Sequence, residues 1–306
     1  MCAMSPTTYI VGAGGQLGTA LQARSSTSSA VRALSSADLD ITDAASVAAA
    51  LAGLGSDDVV LNCAAYTNVD AAESDAARAA AVNRDGPENL ARATAKARAR
   101  LIHVSTDYVF AGAAATDDGP RRTAPYEPDE VTGEPETVYG ATKLAGERAL
   151  LAADPRATVV RTAWVYTGGP DSPDFVGTMR RLEAARDTIS VVDDQTGSPT
   201  YAVDLAVGLW ELADPAHRDT ATGAVVHATN EGNVTWYEVA RGVFEEVGAD
   251  PARVQPCTTA EFPRPAPRPA YSVLSGASWA AAGLTPLRDW RVALHAAVTA
   301  PEPAHG

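Results

Sequence analysis

The chain has 306 residues, 46% of them apolar, with a formal net charge of −14 and a pI near 4.7. That is enough apolar material for a real core. The acidic balance argues against non-specific nucleic-acid binding and against an anionic membrane surface, since both depend on Lys and Arg. Three cysteines, Cys2, Cys63 and Cys257, are too few and too scattered for a disulfide framework or a zinc site. With no apolar run of about 18 residues and no signal-peptide pattern, a soluble cytoplasmic protein is expected.

Thr8-Tyr9-Ile10-Val11 reads as a buried strand, followed by Gly12-Ala13-Gly14-Gly15-Gln16-Leu17-Gly18 and a helical stretch from Thr19. Strand, glycine turn and helix form the context of a dinucleotide-binding loop: glycines let the backbone approach a pyrophosphate, and the helix N-terminus faces its charge. Val31–Leu34 is the second strand. No acid stands at its end to hold a ribose 2′-hydroxyl, and Ser35 and Ser36 are available as donors, which leans toward NADPH over NADH. Asp40 and Ile41 can border an adenine, as acceptor and apolar wall, or belong to a solvated loop that caps the next helix through Thr42 or Asp43.

Asp58–Ala65 is predicted as a strand running into Ala65-Tyr66-Thr67, where small residues let a flat cofactor lie close. Residues 71–99 read as two helical pieces, or one helix kinked, at Gly86-Pro87. Leu101–Val104 is a strand with His103 inside it, taken as a packed core histidine. Thr106, at the strand end, is placed to polarise a substrate carbonyl, or to cap a turn. Residues 111–136 form a loop long enough to act as a lid.

Tyr139-Gly140-Ala141-Thr142-Lys143 follows. Residues four apart share a helix face, so the lysine's charge is expected to favour the phenolate and lower the tyrosine's pKa from about 10. With nine tyrosines but just two lysines, Lys96 and Lys143, such a pair arises by chance about 6% of the time. Thr158–Tyr166 reads as a strand, with Trp164 at its end as either a flat face for a sugar or a core ring. A turn-rich segment spans Val191–Tyr201. Gly223–Ala228 is one more strand of the main sheet, and Thr235 caps a helix. Pro263–Pro269 is stiff, and its arginines make it a linker or a phosphate clamp.

These stretches, with Asn62–Thr67, Ser105–Phe110, Val138–Glu147, Arg161–Tyr166, Val192–Thr200 and Arg268–Ser272, keep the order and spacing of a known family from residue 8 to about 295. The chain resembles the extended short-chain dehydrogenase/reductases, in the branch of the dTDP-4-dehydrorhamnose reductases. The resemblance implies a Rossmann-type α/β fold, a doubly wound parallel sheet with a smaller C-terminal α/β domain. The Rossmann domain would span 1–166 with a returning segment at about 202–230, and the dTDP-sugar-binding domain 167–201 and 231–306. It implies reduction of the C4 ketone of dTDP-4-dehydro-L-rhamnose to dTDP-L-rhamnose by NADPH, with NADH possible.

Carried onto this sequence, Tyr139 is the proton donor, Lys143 lowers its pKa and holds the nicotinamide ribose, and Thr106 orients the ketone. Gly12, Gly15, Gln16, Leu17 and Gly18 cradle the pyrophosphate, with Asp40, Ile41, Ala65, Tyr66 and Thr67 along the cofactor. Asp107 and Trp164 face the sugar, and Gln195 and Arg268 hold the nucleotide end. Some relatives carry an intersubunit Mg2+ bound by a glutamate just after the glycine loop. Here that helix begins Thr19-Ala20-Leu21, so no metal is expected, and a monomer or homodimer without nucleic-acid or membrane partners is. Another dTDP-deoxysugar as substrate, or a non-catalytic cofactor-binding regulatory subunit, are the alternatives.

Overall fold

A computed structural model describes residues 6–25, 30–112 and 122–300. The segment 113–121, in the first half of the expected lid, lies outside the described residues. In chain order the first half runs β1 (Thr7–Val11), α1 (Gln16–Ala23), β2 (Ala30–Leu34), α2 (Ala44–Ala50), β3 (Val59–Asn62), α3 (Val69–Ala72), α4 (Ala76–Ala80), α5 (Gly86–Ala97), β4 (Arg100–Thr106), α6 (Val138–Ala153) and β5 (Thr158–Thr162). Buried β-branched and leucine runs make the strands, as a sheet covered on both faces requires. Asp43, rather than Thr42, caps α2, its side chain accepting from Ala45 N.

Three boundaries differ from the sequence reading. The strand expected over Thr158–Tyr166 ends at Thr162, and Val165–Tyr166 pairs outside the main sheet. β3 stops at Asn62, because Asn62 turns its side chain onto Ala64 N and the chain leaves the sheet there. The 71–99 region breaks at 73–75, not at Gly86-Pro87. From Ala76 it continues through a π-helical turn (Ala81–Asp85) directly into α5, where Pro87 sits in the first turn. The wider ladder of the π turn accommodates the proline's missing N–H within a continuous helix, and π turns are frequent at functional sites.

The second half contains β6 (Val165–Tyr166), α7 (Phe175–Ala185), β7 (Ile189–Val192), β8 (Thr196–Gly197), β9 (Thr200–Tyr201), α8 (Ala202–Ala213), β10 (Val225–His227), β11 (Val234–Thr235), α9 (Trp236–Glu246), β12 (Val254–Cys257), α10 (Ala277–Ala281) and α11 (Trp290–Thr299). β10 returns to the main sheet as expected and pairs parallel with β5. Among the described residues that sheet has six strands, all parallel, in the order β10-β5-β4-β3-β1-β2. The order reverses between β1 and β3, and ligands of such sheets bind at the carboxyl ends beside that reversal.

Apolar clusters cover both faces of this sheet. One includes Ile10, Leu21, Leu61, Leu205 and Leu209; the other includes Val11, Val60, Leu90, Leu101 and Leu150. A separate core, with Val176, Met179, Phe244, Trp290 and Leu294, joins α7, α9 and α11. Thr235 caps α9 in a full capping box with Glu238.

Candidate active site

The glycine turn lies at the switch point, and its glycines serve different ends. Gly12 has φ +83°, and a Cβ there would meet Ala64 N at 2.6 Å, so the close approach of β1 and the 63–68 loop demands glycine. A Cβ on Gly18 would strike the backbone of Gly12 and Ala13. Gly15 is another matter. It is exposed, extended, and a Cβ would touch just Gly12 O at 3.4 Å, so its bareness opens space outside the protein. α1 starts there with no side-chain cap, leaving its first N–H groups for an anion.

Two side chains of this loop turn away from its open face. The Leu17 side chain is buried in the core, so its backbone alone faces the turn. The Gln16 side chain reaches across to the second half, donating to Ser172 Oγ at 3.2 Å and Asp174 Oδ2 at 3.1 Å. At the end of β2, Ser35 is not a free donor: its hydroxyl binds Asp38 Oδ2 at 2.6 Å, and this bond holds the Asp38 carboxyl below its usual range. An acid therefore does stand near that strand end, three residues later than the sequence reading looked for it. Asp40 turns onto Thr42, and the Ile41 side chain is packed in the core against the Gly86 position, not standing as a free wall.

Ala65, Tyr66 and Thr67 lie in the loop after β3, partly exposed. Buried Asn83, on the π turn, holds this loop: its Oδ1 accepts from Tyr66 N at 2.8 Å, and its Nδ2 donates to Tyr66 O and to Thr142 Oγ1. Sequence reasoning passed over Asn83. The one signal was a lone polar amide in an alanine-rich helix, which pattern alone reads as a solvated face.

Thr106, Asp107, Tyr139 and Lys143 come together at the end of β4 and the start of α6, and all four are buried. Thr137 caps α6, and the Tyr108 ring meets the Tyr139 ring edge-on at 5.5 Å, which fixes the phenol. The expected electrostatics is reversed. Burial pushes Tyr139 up to about 12, opposed by its hydrogen bond with Thr106. Lys143 does not offset this. Its ammonium turns to β4, donating to Val104 O at 2.8 Å and lying 3.3 Å from His103 Nε2, and burial brings it down to about 8. Helical spacing put the two residues on one face, but desolvation, which spacing does not report, controls the phenol.

Thr106 Oγ1 donates to Asp107 Oδ1 at 3.0 Å. Burial pushes the Asp107 carboxyl up to about 6; Ser272 lies close enough to oppose this, yet Asp107 Oδ2 has no well-formed hydrogen bond. Because the folded pKa lies above the unfolded value of 3.8, the charged form is the penalised one. The penalty is absent below about pH 4 and fully present above about pH 6. Asp107→Asn is therefore expected to raise stability above pH 6 by up to about 3 kcal/mol, and to change little at pH 4. Urea unfolding at pH 4 and pH 7.5 checks it; equal midpoint changes at both would contradict it.

Trp164 occupies a left-handed backbone conformation, φ +48°, rare for a bulky residue and found where strain is held at functional sites. One face of its ring is stacked on Trp236 at 3.6 Å, and its edge fills the space left by Gly197. Packing and a role at the pocket are thus not exclusive: one side of the ring is core. Gln195 is buried and donates to Thr259 Oγ1 at 2.8 Å. Arg268 donates to Asp70 Oδ2 at 3.0 Å and Ala266 O at 2.8 Å, and Arg264 shares Asp70. The proline-rich segment is therefore clasped to α3. Arg161 and Glu147, two residues of the matching stretches, form a buried ion pair at 2.7 Å.

A glycine turn at the switch point beside a buried Thr–Tyr–Lys set defines a dinucleotide-dependent oxidoreductase of the short-chain dehydrogenase/reductase type. The chain matches the RmlD substrate binding domain over residues 6–302 and belongs to that family. It is 56% identical over 302 residues to a dTDP-4-dehydrorhamnose reductase of Mycobacterium tuberculosis, covering 98% of this chain and 95% of the relative. Among solved structures, it is similar to a dTDP-4-dehydrorhamnose reductase of Clostridium acetobutylicum, with 36% identity, TM-score 0.85 and coverage of 95% and 98%. It is equally similar in fold to the Bacillus anthracis enzyme in complex with NADP, with 33% identity, TM-score 0.85 and the same coverage.

Proposed function

We propose that the protein reduces the C4 ketone of dTDP-4-dehydro-L-rhamnose to dTDP-L-rhamnose, with NADPH as hydride donor. The observation that carries this is the Tyr139 phenol, buried against Thr106 and kept protonated at neutral pH. A reduction needs a proton donor at the new alkoxide, and a neutral phenol, a stronger acid than the sugar hydroxyl being formed, supplies it. The residues present fit the dinucleotide: bare Gly15 and the uncapped start of α1 suit its pyrophosphate, and Lys143 suits the ribose. NADPH, when bound, supplies the hydride.

In this reading Tyr139 gives its proton to the sugar O4. Thr106 orients the ketone when its hydroxyl turns from Asp107 to the sugar oxygen, and Trp164 offers the ring side that Trp236 leaves uncovered. Gln195 and Arg268 serve the dTDP end. The second apolar core supports assigning 167–201 and 231–306 to the sugar-nucleotide half and 1–166 with 202–230 to the dinucleotide half. Among the described residues no helix is long and apolar enough to cross a membrane, and a nucleotide-sugar substrate with a reduced dinucleotide fits the cytoplasm.

Loss of NADPH absorbance on adding dTDP-4-dehydro-L-rhamnose is the test. No consumption with this sugar would reject the assignment, and consumption with another dTDP-4-ketosugar alone would move it to that deoxysugar. Arg268, once released from Asp70, would be free for a diphosphate. Asp70→Asn is accordingly expected to tighten dTDP binding several-fold, by about 1 kcal/mol for a partly exposed pair. Calorimetric titration with dTDP reads it directly, and unchanged or weaker binding would remove Arg268 from the nucleotide site.

A further inference from the structure

His103 is fully buried at the centre of β4, yet it is not a mere packing residue. Its Nδ1 lies 2.9 Å from Asn62 Nδ2, and its Nε2 lies 3.3 Å from Lys143 Nζ. The orientation of Asn62 is fixed independently, because its Oδ1 accepts from Ala64 N at 3.0 Å. The Asn62 amide must then present N–H to His103, so Nδ1 is the acceptor. A neutral imidazole with a bare Nδ1 carries its proton on Nε2, facing the lysine. Burial, reinforced by Lys143, keeps His103 neutral by holding its pKa well below the usual value.

An N–H pointing at Nζ is well matched to an amine lone pair and badly matched to an ammonium. Resting on the assignment of Lys143 to the site, we propose that His103 is a positioning residue: Ala64, Asn62 and His103 form a chain that presents Nε2–H to Lys143 and favours the uncharged amine over the ammonium. Lys143 thereby becomes a group that titrates within the working range rather than a fixed charge. Other groups facing it act in different directions. Glu147, one turn along α6 and paired with Arg161, favours the ammonium, while burial disfavours it; the Cys63 thiol after β3, pushed up to about 12 by burial, is uncharged where Lys143 titrates. Val104 O accepts from Nζ in either state.

The composition offers a direct readout, since Lys96 and Lys143 are the chain's two lysines and Lys96 is exposed. The full-length protein labelled with 13C-lysine gives two Cε resonances, which are titrated in wild type, His103→Phe and Asn62→Ala. Losing the imidazole in the first variant, or freeing its tautomer in the second, is expected to move the Lys143 midpoint upward by about half to one pH unit, the worth of one neutral hydrogen bond. Lys96 stays fixed. The alkaline limb of kcat/KM, where the ammonium is lost, moves up with it. A structural role would lower stability or kcat without moving either midpoint. Unchanged Lys143 midpoints in both folded variants overturn the proposal. So does a wild-type 15N spectrum with the His103 proton on Nδ1, a measurement that needs no variant to fold. Because the titration needs no turnover, its failure is distinct from failure of the reductase assignment.

Discussion

Replacing Tyr139 by Phe is expected to lower turnover by about 10²–10⁴-fold, the usual worth of a positioned proton donor, while NADPH binding stays nearly intact. The substitution removes one oxygen and keeps the ring. Its edge-on contact with Tyr108 at 5.5 Å and its place in the apolar cluster with Ala72 and Ala79 remain. The loss therefore falls on kcat, as for an interaction made in the transition state. The physical reason is the phenolic proton that Phe lacks. Tyr139 is pushed up to about 12 and so is neutral across the working range, as an ordinary phenol is, and its oxygen beside Thr106 is the donor lost in the variant. Steady-state kinetics with the dTDP-4-ketosugar, together with a fluorescence titration of NADPH, measures both halves. Turnover within a few-fold of wild type would remove Tyr139 from the chemistry.

Replacing Gly15 by Val is expected to weaken NADPH at least about 100-fold, roughly 2.7 kcal/mol, with the melting temperature nearly unchanged. Gly15 lies in ordinary extended backbone with φ −80° and ψ 170°, which a β-branched residue adopts without strain. A Cβ there meets no protein atom closer than 3.4 Å, so the fold has no objection. The side chain instead fills the approach to the first N–H groups of α1. Gly18→Ala is the contrast. Its methyl would lie 2.7 Å from the Ala13 Cα, inside a buried turn, so stability falls along with binding. Thermal melts with and without NADPH separate the two. A Gly15→Val protein that binds NADPH normally would show that the pyrophosphate lies elsewhere.

Much of this was legible before any coordinates. Apolar runs between glycine or polar breaks located β1, β4, β5 and β10, because a strand buried on both faces has to be an apolar run, and β2, a mostly exposed edge strand, was found from its place after the first helix. The glycine turn followed from the same local rule, and the grouping of Thr106, Asp107, Tyr139 and Lys143 from their places at a strand end and a helix start. What went astray was non-local. The break at 73–75 and the π turn depend on Asn83 reaching the Tyr66 loop and Thr142, and nothing in an alanine-rich run announces that reach. Ser35 was counted as a donor because its acceptor, Asp38, was not yet known to fold back onto it.

The sequence by itself determined the run of strands and helices, the glycine turn and the shared face of Tyr139 and Lys143, since each follows from backbone periods acting over a few residues; the doubly wound class came with the family resemblance. Tertiary structure alone decided the charges and partners: the raised phenol of Tyr139, the lysine turned onto Val104 and His103, the arginines held by Asp70, and the Trp164 ring stacked on Trp236. Desolvation and pairing depend on what surrounds a group in space. Arg264 and Asp70, 194 positions apart in the chain, become neighbours when the second half closes onto the first.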